Sequence, residues 1–289
     1  MRVTVLGGAT WNRMIHVERL PDGHSATVQP IRHHDAIGGS GAGKALNLAR
    51  LGADVTLHAG LGDDEAGARV RSGLAAARVT LQETLDVGGT AEHVNVMDAT
   101  GGRISLMVRN GSADLPFDKE ALRTSMATAD VVVVDLAPWT PRAIDLARDS
   151  GQPIWTDLHD HDAASVWHAP FIEAADIVFV SHDRLPDPRA FLASLTDRGK
   201  HLAVCTRGRD GAIALDAEGG WHEVSAVPDV DVVDSNGAGD AFFAGTLFGV
   251  IEGAPIDRAL RYGAEAAALA VASSELASAE LTADRMRAS

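Results

Sequence analysis

The chain alternates short apolar runs, rich in Val and Ile, with longer stretches in which apolar positions recur every three or four residues. Short continuous apolar runs are typical of strands buried on both faces of a sheet, and the longer spacing is typical of helices. The predicted strands cover residues 3–6, 55–59, 131–134, 177–180, 202–204, 212–215 and 221–224. The predicted helices cover residues 42–51, 65–77, 119–127, 141–148, 188–198, 238–251 and 255–272. This alternation predicts an α/β fold with a mainly parallel central sheet and helices on both faces.

Two stretches depart from the alternation. Residues 13–37 contain extended pieces with a turn signal, and residues 91–109 contain two strand patterns joined by a glycine turn over 98–102. Such pieces predict a small β-sheet that stands off the main body as a lid. Because no linker or low-complexity tract is present, we expect residues 1–289 to form one domain that carries this lid.

Charge and composition limit the class of partner. The 289 residues include 40 acidic and 25 basic side chains, which gives a formal net charge of −15. Nucleic-acid and anionic-membrane binders need a basic face, so neither partner is expected.

The single cysteine, Cys205, excludes a disulfide framework, and its position in an apolar strand predicts a core residue. The absence of a membrane-length apolar run and of a signal-peptide pattern predicts a cytoplasmic protein.

The clearest chemical signal is a turn of small residues between a predicted strand, 230–233, and the helix that follows. The turn has the sequence Asp234-Ser235-Asn236-Gly237-Ala238-Gly239-Asp240. Free N–H groups at a helix start, glycines and the helix dipole together form a binding site for phosphate. A carboxylate such as that of Asp240 repels phosphate unless it serves as a general base on an attacking hydroxyl. A structural glycine turn with Asp240 as a helix-start residue explains the same pattern equally well.

A second glycine cluster, residues 38–45, nearly matches a phosphate-binding loop. Gly38, Gly43 and Lys44 occupy the required positions, but Ala45 replaces the hydroxyl residue that such a loop uses for Mg²⁺. The preceding residues also make a poor central strand. We therefore favour a tight turn that starts a helix against a polar ligand. A P-loop NTPase that acts through Lys44 is the weaker alternative.

The order of the glycine motifs resembles that of the ribokinase-like (PfkB) carbohydrate kinases over nearly the whole chain. The motifs are the turn at 38–43, Gly62-Asp63 with Gly67, the pattern Thr206-x-Gly208-x-x-Gly211 and the signature at 234–240. The signature, Asp-[Thr/Ser]-x-Gly-Ala-Gly-Asp at a helix start, is the most specific of them. The resemblance implies a large α/β domain with a small β lid. It also implies transfer of the γ-phosphoryl group of ATP to a hydroxymethyl group of a sugar or nucleoside.

The resemblance further implies a role for each matching position. The implied catalytic residues are the general base Asp240 and the anion-hole N–H groups of Gly237, Ala238 and Gly239. The implied acceptor-binding residues are Asn12, Gly39 and Gly43, and the implied nucleotide-binding residues are Thr206, Gly208 and Gly211. The implied cofactors are ATP and Mg²⁺, and some members also bind a monovalent cation such as K⁺ near the signature. A homodimer formed through the lid is common among similar proteins and is expected here, since unpaired strand edges seek partners.

Three elements of the chain depart from the family pattern. Asn12 replaces the usual Asp, and Gly43 stands where members often have Asn. The family's N-x-x-E motif, which supports Mg²⁺ and phosphate, falls on residues 181–184, where Asp183 and Arg184 are the nearest substitutes. The expected function is an ATP-dependent sugar or nucleoside kinase. The alternative is a degenerate kinase that binds sugar or nucleotide without turnover.

The 12 histidines invite a metal site, but a tetrahedral site needs three or four convergent ligands. Neither a His-Glu-x-x-His motif nor a cysteine pair is present, so we predict no metal site built from protein ligands alone. The pair His33-His34 in the lid region and the triplet His159-Asp160-His161 do not change this prediction. Asp157, at the carboxyl end of a strand, is the better candidate for ligand binding because ligands of open α/β sheets gather there.

Overall fold

The computed structural model describes residues 1–98 and 102–288, so part of the predicted turn over 98–102 lies outside the described residues. Within those ranges, nine strands form a large sheet and four form a small one. None of the helices in the described ranges combines the length and the apolar character that crossing a membrane requires.

The large sheet is mainly parallel, as predicted. The strands of both sheets are β1 (Arg2–Leu6), β2 (Thr10–Val17), β3 (Arg32–Gly38), β4 (Asp54–Leu61), β5 (Thr80–Leu85), β6 (Glu92–Asp98), β7 (Arg103–Arg109), β8 (Val131–Val134), β9 (Ile154–Asp157), β10 (Ile177–Ser181), β11 (Leu202–Thr206), β12 (Ala212–Asp216) and β13 (Trp221–Val224). The large sheet has the order β13-β12-β11-β10-β9-β8-β1-β4-β5. Only the pairings of β12 with its two neighbours are antiparallel in it.

Helices cover both faces of the large sheet. They are α1 (Ser40–Arg50), α2 (Glu65–Ala76), α3 (Lys119–Ala127), α4 (Ile144–Asp149), α5 (Ala169–Ala174), α6 (Pro188–Thr196), α7 (Ala238–Ile251), α8 (Ile256–Val271) and α9 (Ala283–Ala288). Successive side chains of a strand point to opposite faces. In β8, Val131 and Val133 join the core under α1, α2, α7 and α8, whereas Val132 and Val134 join the core under α3 to α6. The side chains of the continuous apolar run in β8 are therefore divided between two hydrophobic cores, one on each face of the sheet.

The small sheet contains the two stretches that the sequence set apart. Its order is β3-β2-β6-β7, with β2 and β6 parallel and the other pairs antiparallel. The sheet begins at Thr10, three residues before the predicted segment, because the chain leaves β1 through Gly7 and Gly8 and turns directly into β2. Every residue of the edge strand β7 is exposed.

The segment 230–233 and strand β5 differ from the predicted elements. Residues 230–233 form no strand: Val232 is 58% accessible, and Val233 N donates to Val271 O instead of to a strand. Strand β5 was not predicted. It lies at the edge of the sheet and is mostly exposed, so its sequence lacks the apolar run that marks a central strand.

Candidate active site

The candidate site lies at the carboxyl edge of the large sheet, where the parallel strands β1, β8 and β9 end together. Asp135 directly follows β8, and Asp157 is the last residue of β9. Helices α1 and α7 pack against each other over this edge. Open α/β sheets bind their ligands outside the carboxyl ends of the strands, so this is the expected place for chemistry.

Helix α1 begins in close contact with the chain that leaves β1. Gly39 precedes the helix with a φ of 86°, in the left-handed region that favours glycine. A Cβ on Gly41 would lie 2.8 Å from the Cα of Gly7, so neither position tolerates a side chain without a shift. The close approach brings the side chain of Lys44, one turn into the helix, to the edge of the sheet.

The 237–240 turn (Gly237, Ala238, Gly239 and Asp240) starts helix α7. Gly237 has a φ of 80° and caps the helix without a side-chain hydrogen bond. In the described ranges, the N–H groups of Gly237, Gly239 and Asp240 donate to no acceptor, whereas Ala238 N makes a long bond of 3.4 Å to Ser235 O. A helix start with free N–H groups attracts anions. Two of the three predicted donors, Gly237 and Gly239, thus have free N–H groups within the described ranges, and Asp240 N–H is free there as well.

Lys44 links three carboxylates inside this site. Its Nζ lies 2.7 Å from Asp240 Oδ1, 3.1 Å from Asp135 Oδ1 and 3.2 Å from Asp157 Oδ2. The lysine side chain is completely buried. Burial by itself lowers the pKa of Lys44, but the three carboxylates raise it well above its usual value, so the lysine is charged.

His159 adds a second cation to the cluster. Its Nε2 lies 3.4 Å from Asp135 Oδ1, and its Nδ1 lies 3.5 Å from Asp157 Oδ2. Burial lowers the pKa of His159, but Asp157 and Asp135 outweigh that effect and raise it to about 9. The cluster therefore holds three carboxylates against two cations near neutral pH.

The carboxylates differ in their pKa. Burial opposes ionisation of Asp135, but Lys44, His159 and a 2.5 Å hydrogen bond from Ser40 Oγ lower its pKa well below the usual range. For Asp240, burial is the stronger effect and raises the pKa, although Lys44 and His159 act in the opposite direction. Asp240 is therefore the more basic of these two groups and the better suited to accept a proton.

The environment of Lys44 argues against the P-loop alternative. Helix α1 follows β3, a strand of the small sheet, whereas a phosphate-binding loop follows a central strand of the large one. Three carboxylates surround the lysine and would repel a phosphate group there.

The acceptor-binding residues predicted from the resemblance lie in β2, in the turn before α1 and in α1 itself. The Asn12 side chain is buried in β2, where its Oδ1 accepts a 2.6 Å hydrogen bond from Thr10 Oγ1. Gly39 forms the turn before α1. A Cβ on Gly43 would lie 2.3 Å from Asp240 Oδ2, so the absence of a side chain at Gly43 is what lets Asp240 approach α1.

The predicted nucleotide-binding residues lie farther along the same sheet edge. Thr206 ends β11, and Gly208 and Gly211 flank the next turn with φ values of 57° and 82°. A Cβ on Gly211 would lie 1.9 Å from Val224 O, so its close contact with β13 explains this glycine structurally. At the adjacent end of β10, Arg184 is paired with Asp162 at 3.2 Å.

The sequence analysis missed two roles in the cluster. Asp135 was not singled out, although an acid that directly follows a buried strand is the same signal that marked Asp157. Lys44 was considered only as a phosphate ligand. Its ion pair with Asp240 joins residues 196 positions apart in sequence and has no local signal.

Comparison with known proteins now identifies the family. The model of the pfkB family of carbohydrate kinases matches residues 3–283. The chain belongs to this family. The chain is therefore a carbohydrate or nucleoside kinase with ATP as the phosphoryl donor. The predicted ribokinase-like fold is confirmed.

Individual relatives of this pfkB kinase act on different acceptors. It is 34% identical over 275 residues to the acarbose 7(IV)-phosphotransferase of Actinoplanes sp., covering 93% of this chain and 91% of that protein. It is 30% identical over 302 residues to the ATP-dependent ribose-1-phosphate kinase of Halopiger xanaduensis, covering 100% and 97% of the two chains. A solved microbiome-derived acarbose kinase is 27% identical, with a TM-score of 0.87 and coverage of 99% and 97%.

Proposed function

We propose that this kinase transfers the γ-phosphoryl group of ATP to a hydroxyl group of a sugar, preferably a hydroxymethyl group, with Asp240 as the general base. The observation that carries the proposal is the position of a buried, basic carboxylate at the start of α7, beside three backbone N–H groups that are free to bind an anion. The same constellation matches the specific signature of the family.

The proposed transfer uses the two oxygens of Asp240 differently. Lys44 holds Oδ1, while Oδ2 has no hydrogen-bond donor in the described ranges and faces the space left by Gly43. The acceptor oxygen attacks the γ-phosphorus, its proton passes to Oδ2, and the bond from phosphorus to the bridging oxygen of ADP breaks. The N–H groups of the 237–240 turn stabilise the charge that develops on the transferred group.

Lys44 is proposed as the positioning residue for this base. A carboxylate fixed through one oxygen keeps the other in a constant direction, which favours in-line transfer. The positive charge also opposes the effect of burial on the pKa of Asp240 and so favours the ionised form of the base. Gly43, which stands where family members often have Asn, and Lys44 act together in this proposal: the glycine leaves room for Asp240, and the lysine holds it.

Mg²⁺ is proposed as the phosphate counterion. Asp183, an exposed carboxylate at the end of β10, is the type of ligand that Mg²⁺ prefers, and Ser181 Oγ donates to it at 2.9 Å. When bound, the ion would neutralise charge on the phosphates of ATP. A K⁺ requirement and a cytoplasmic location remain predictions.

The charge of the cluster also favours one class of acceptor. The carboxylates of Asp135 and Asp157 can accept hydrogen bonds from hydroxyl groups, and the cluster holds three acidic side chains against two cations. A phosphate or carboxylate on the acceptor would be repelled there. We therefore propose a neutral or amino sugar, closer to the acarbose of one relative than to the ribose 1-phosphate of another.

An acceptor panel tests this function. ADP release is measured with ATP and Mg²⁺ over acarbose, ribose, hexoses, inosine and ribose 1-phosphate. We expect turnover with a neutral or amino sugar and at least tenfold lower kcat/KM with ribose 1-phosphate. Preferred use of the phosphorylated sugar would contradict the proposed acceptor class while leaving the kinase activity intact.

The same panel examines the degenerate-kinase alternative. That alternative is favoured by the Lys44–Asp240 ion pair, which occupies one oxygen of the base, and by the altered residues at 181–184. Sugar or ATP binding in calorimetry, with no ADP released for any acceptor, would establish it.

The small sheet is proposed as a lid and as a dimer interface. Strand β7 offers an unpaired edge with exposed Leu106, Met107 and Val108, at 53%, 66% and 65% accessibility. Exposed apolar edges of this kind pair readily with a second copy. Sedimentation should show a dimer in the wild type and a monomer in Met107→Glu; a monomeric wild type would refute the interface.

A further inference from the structure

Two histidines of the small sheet and one acid of the signature loop converge at a point away from the Lys44 cluster. His16 lies in β2 and His34 lies in β3. In the antiparallel register, His16 pairs with Arg32, two residues from His34, so both histidines lie on the same face of the small sheet. Asp234, in the loop before the 237–240 turn, meets them from the large sheet's side. One ligand atom from each residue lies within 4.8 Å of the other two.

Neither histidine uses its Nε2 within the protein. His16 and Asp234 are buried, at 8% and 5% accessibility, and His34 is half-buried. Both Nε2 atoms are shielded from solvent and have no hydrogen-bond partner in the described part of the chain. Asp234 Oδ2 is 3.9 Å from His16 Nε2, too far for a hydrogen bond. Two such shielded atoms cost free energy unless an ion or water satisfies them.

The charges around the pair keep an imidazole available as a ligand. Burial lowers the pKa of His16, and the Arg32 guanidinium lowers it further, while Asp234 acts in the opposite direction. The imidazole is therefore neutral at physiological pH, the form that binds metals. Arg32 is itself engaged, since it donates to Val233 O at 2.7 Å. A cavity of about 180 Å³ adjoins His16 and Asp234 and leaves room for water.

We propose that His16 Nε2, His34 Nε2 and a carboxylate oxygen of Asp234 bind a divalent transition-metal cation, with Zn²⁺ the best match. Two imidazoles and one carboxylate are a common three-ligand set for zinc, and the fourth position goes to water. Ligand atoms around tetrahedral zinc are about 3.3 to 3.5 Å apart, so shifts of about 1 Å close the site. Alkali ions and Mg²⁺ prefer oxygen ligands and do not suit the imidazoles.

Such an ion would connect the two sheets. Its ligands come from β2 and β3 of the small sheet and from the loop that leads into α7. Asn236 N donates to Asp234 Oδ1 at 2.7 Å, which couples the acid to the turn that follows. Metal binding would therefore restrain the small sheet relative to the 237–240 turn. This metal site does not depend on which sugar accepts the phosphoryl group.

Calorimetry with Zn²⁺ tests the site. Chelator-treated, full-length protein is titrated with ZnCl₂ in buffer without ATP or Mg²⁺, and Co²⁺ absorption is recorded in parallel. We expect one site that His34→Ala and His16→Ala each weaken at least tenfold. His33→Ala is the matched control, because the exposed His33 faces the other side of β3 and should leave the affinity unchanged.

Two outcomes would overturn the proposal. The first is no Zn²⁺ or Co²⁺ binding by the wild type at micromolar concentrations. The second is binding that survives in His34→Ala and is lost in a His161→Ala, His168→Ala double variant, because those two rings lie 4.4 Å apart and form the alternative histidine pair. If His16→Ala does not fold, His34→Gln, at the half-buried position, decides the result alone, with circular dichroism as the check on folding.

Discussion

The ammonium group of Lys44 lies 2.7 Å from Oδ1 of Asp240, so the proposed base is held by a lysine from the opposite helix. The lysine comes from α1 and the acid from α7, and neither has solvent access sufficient to replace the contact with water. Strong perturbation of buried ionisable groups in a cleft is characteristic of functional sites. The first predictions concern this pair.

Replacing the base should abolish turnover and spare nucleotide binding. In Asp240→Asn the proton acceptor is lost, whereas the N–H groups of the 237–240 turn remain. General-base catalysis contributes about 10² to 10⁴-fold, so kcat should fall by that factor. ADP release measures kcat, and calorimetry with a non-hydrolysable ATP analogue measures binding. Full activity in this variant would remove Asp240 from the mechanism.

Replacing Lys44 should change the pH dependence of catalysis. In Lys44→Met the cation that lowers the pKa of Asp240 is gone, so that already raised pKa rises further. The base is then protonated over a wider range, and the acid limb of the kcat/KM profile should shift to higher pH, with a lower kcat at pH 7.

Lys200→Met is the control for this variant. Lys200 is also buried, but it donates to the backbone oxygens of Glu173 and Ala175. Loss of either lysine should lower stability, by about 3 to 5 kcal/mol for the paired Lys44. Only Lys44→Met should shift the acid limb of the kcat/KM profile to higher pH. If the acid limb of the kcat/KM profile does not shift in Lys44→Met, then Lys44 has only a structural role.

A methyl group at Gly43 should disturb the base without removing it. In Gly43→Ala the new Cβ would lie 2.3 Å from Asp240 Oδ2, so the carboxylate must move. We expect kcat to fall at least tenfold, since small displacements of catalytic groups are costly. Gly111→Ala is the control, because its Cβ would meet nothing closer than Asp86 Oδ2 at 4.0 Å. Equal kcat in the two variants would show that the position of Asp240 is not critical.

His159 should make the free energy of unfolding fall as the pH becomes alkaline. Its pKa is about 9 in the folded protein and 6.5 in the unfolded chain, so folding favours the protonated form. The corresponding stabilisation is complete below pH 6.5 and is lost as the pH rises through 9, by about 1 to 3 kcal/mol. Urea unfolding at pH 6 and pH 10 measures it. His159→Gln should lose less stability over this interval than the wild type; an identical loss would assign the dependence to other groups.

Local patterns were sufficient to predict most of the architecture. Runs such as 131–134 have no polar position, and a strand can be apolar throughout only if helices cover both faces, so the parallel sheet and its layers followed from the sequence. The helix start at Ala238 was equally clear, because glycine and a helix dipole act over a few neighbouring residues. Residues 230–233 show the limit, since four residues with two adjacent valines did not form a strand.

The sequence by itself thus determined the fold class, the signature turn and the candidate base. Only the tertiary structure decided that Lys44 binds Asp240 and that His16, His34 and Asp234 meet. Secondary structure arises from interactions between near neighbours, which a periodic pattern records. An ion pair across 196 residues depends on how two helices pack over one sheet edge, and a buried charge is tolerated only where that packing supplies its partner.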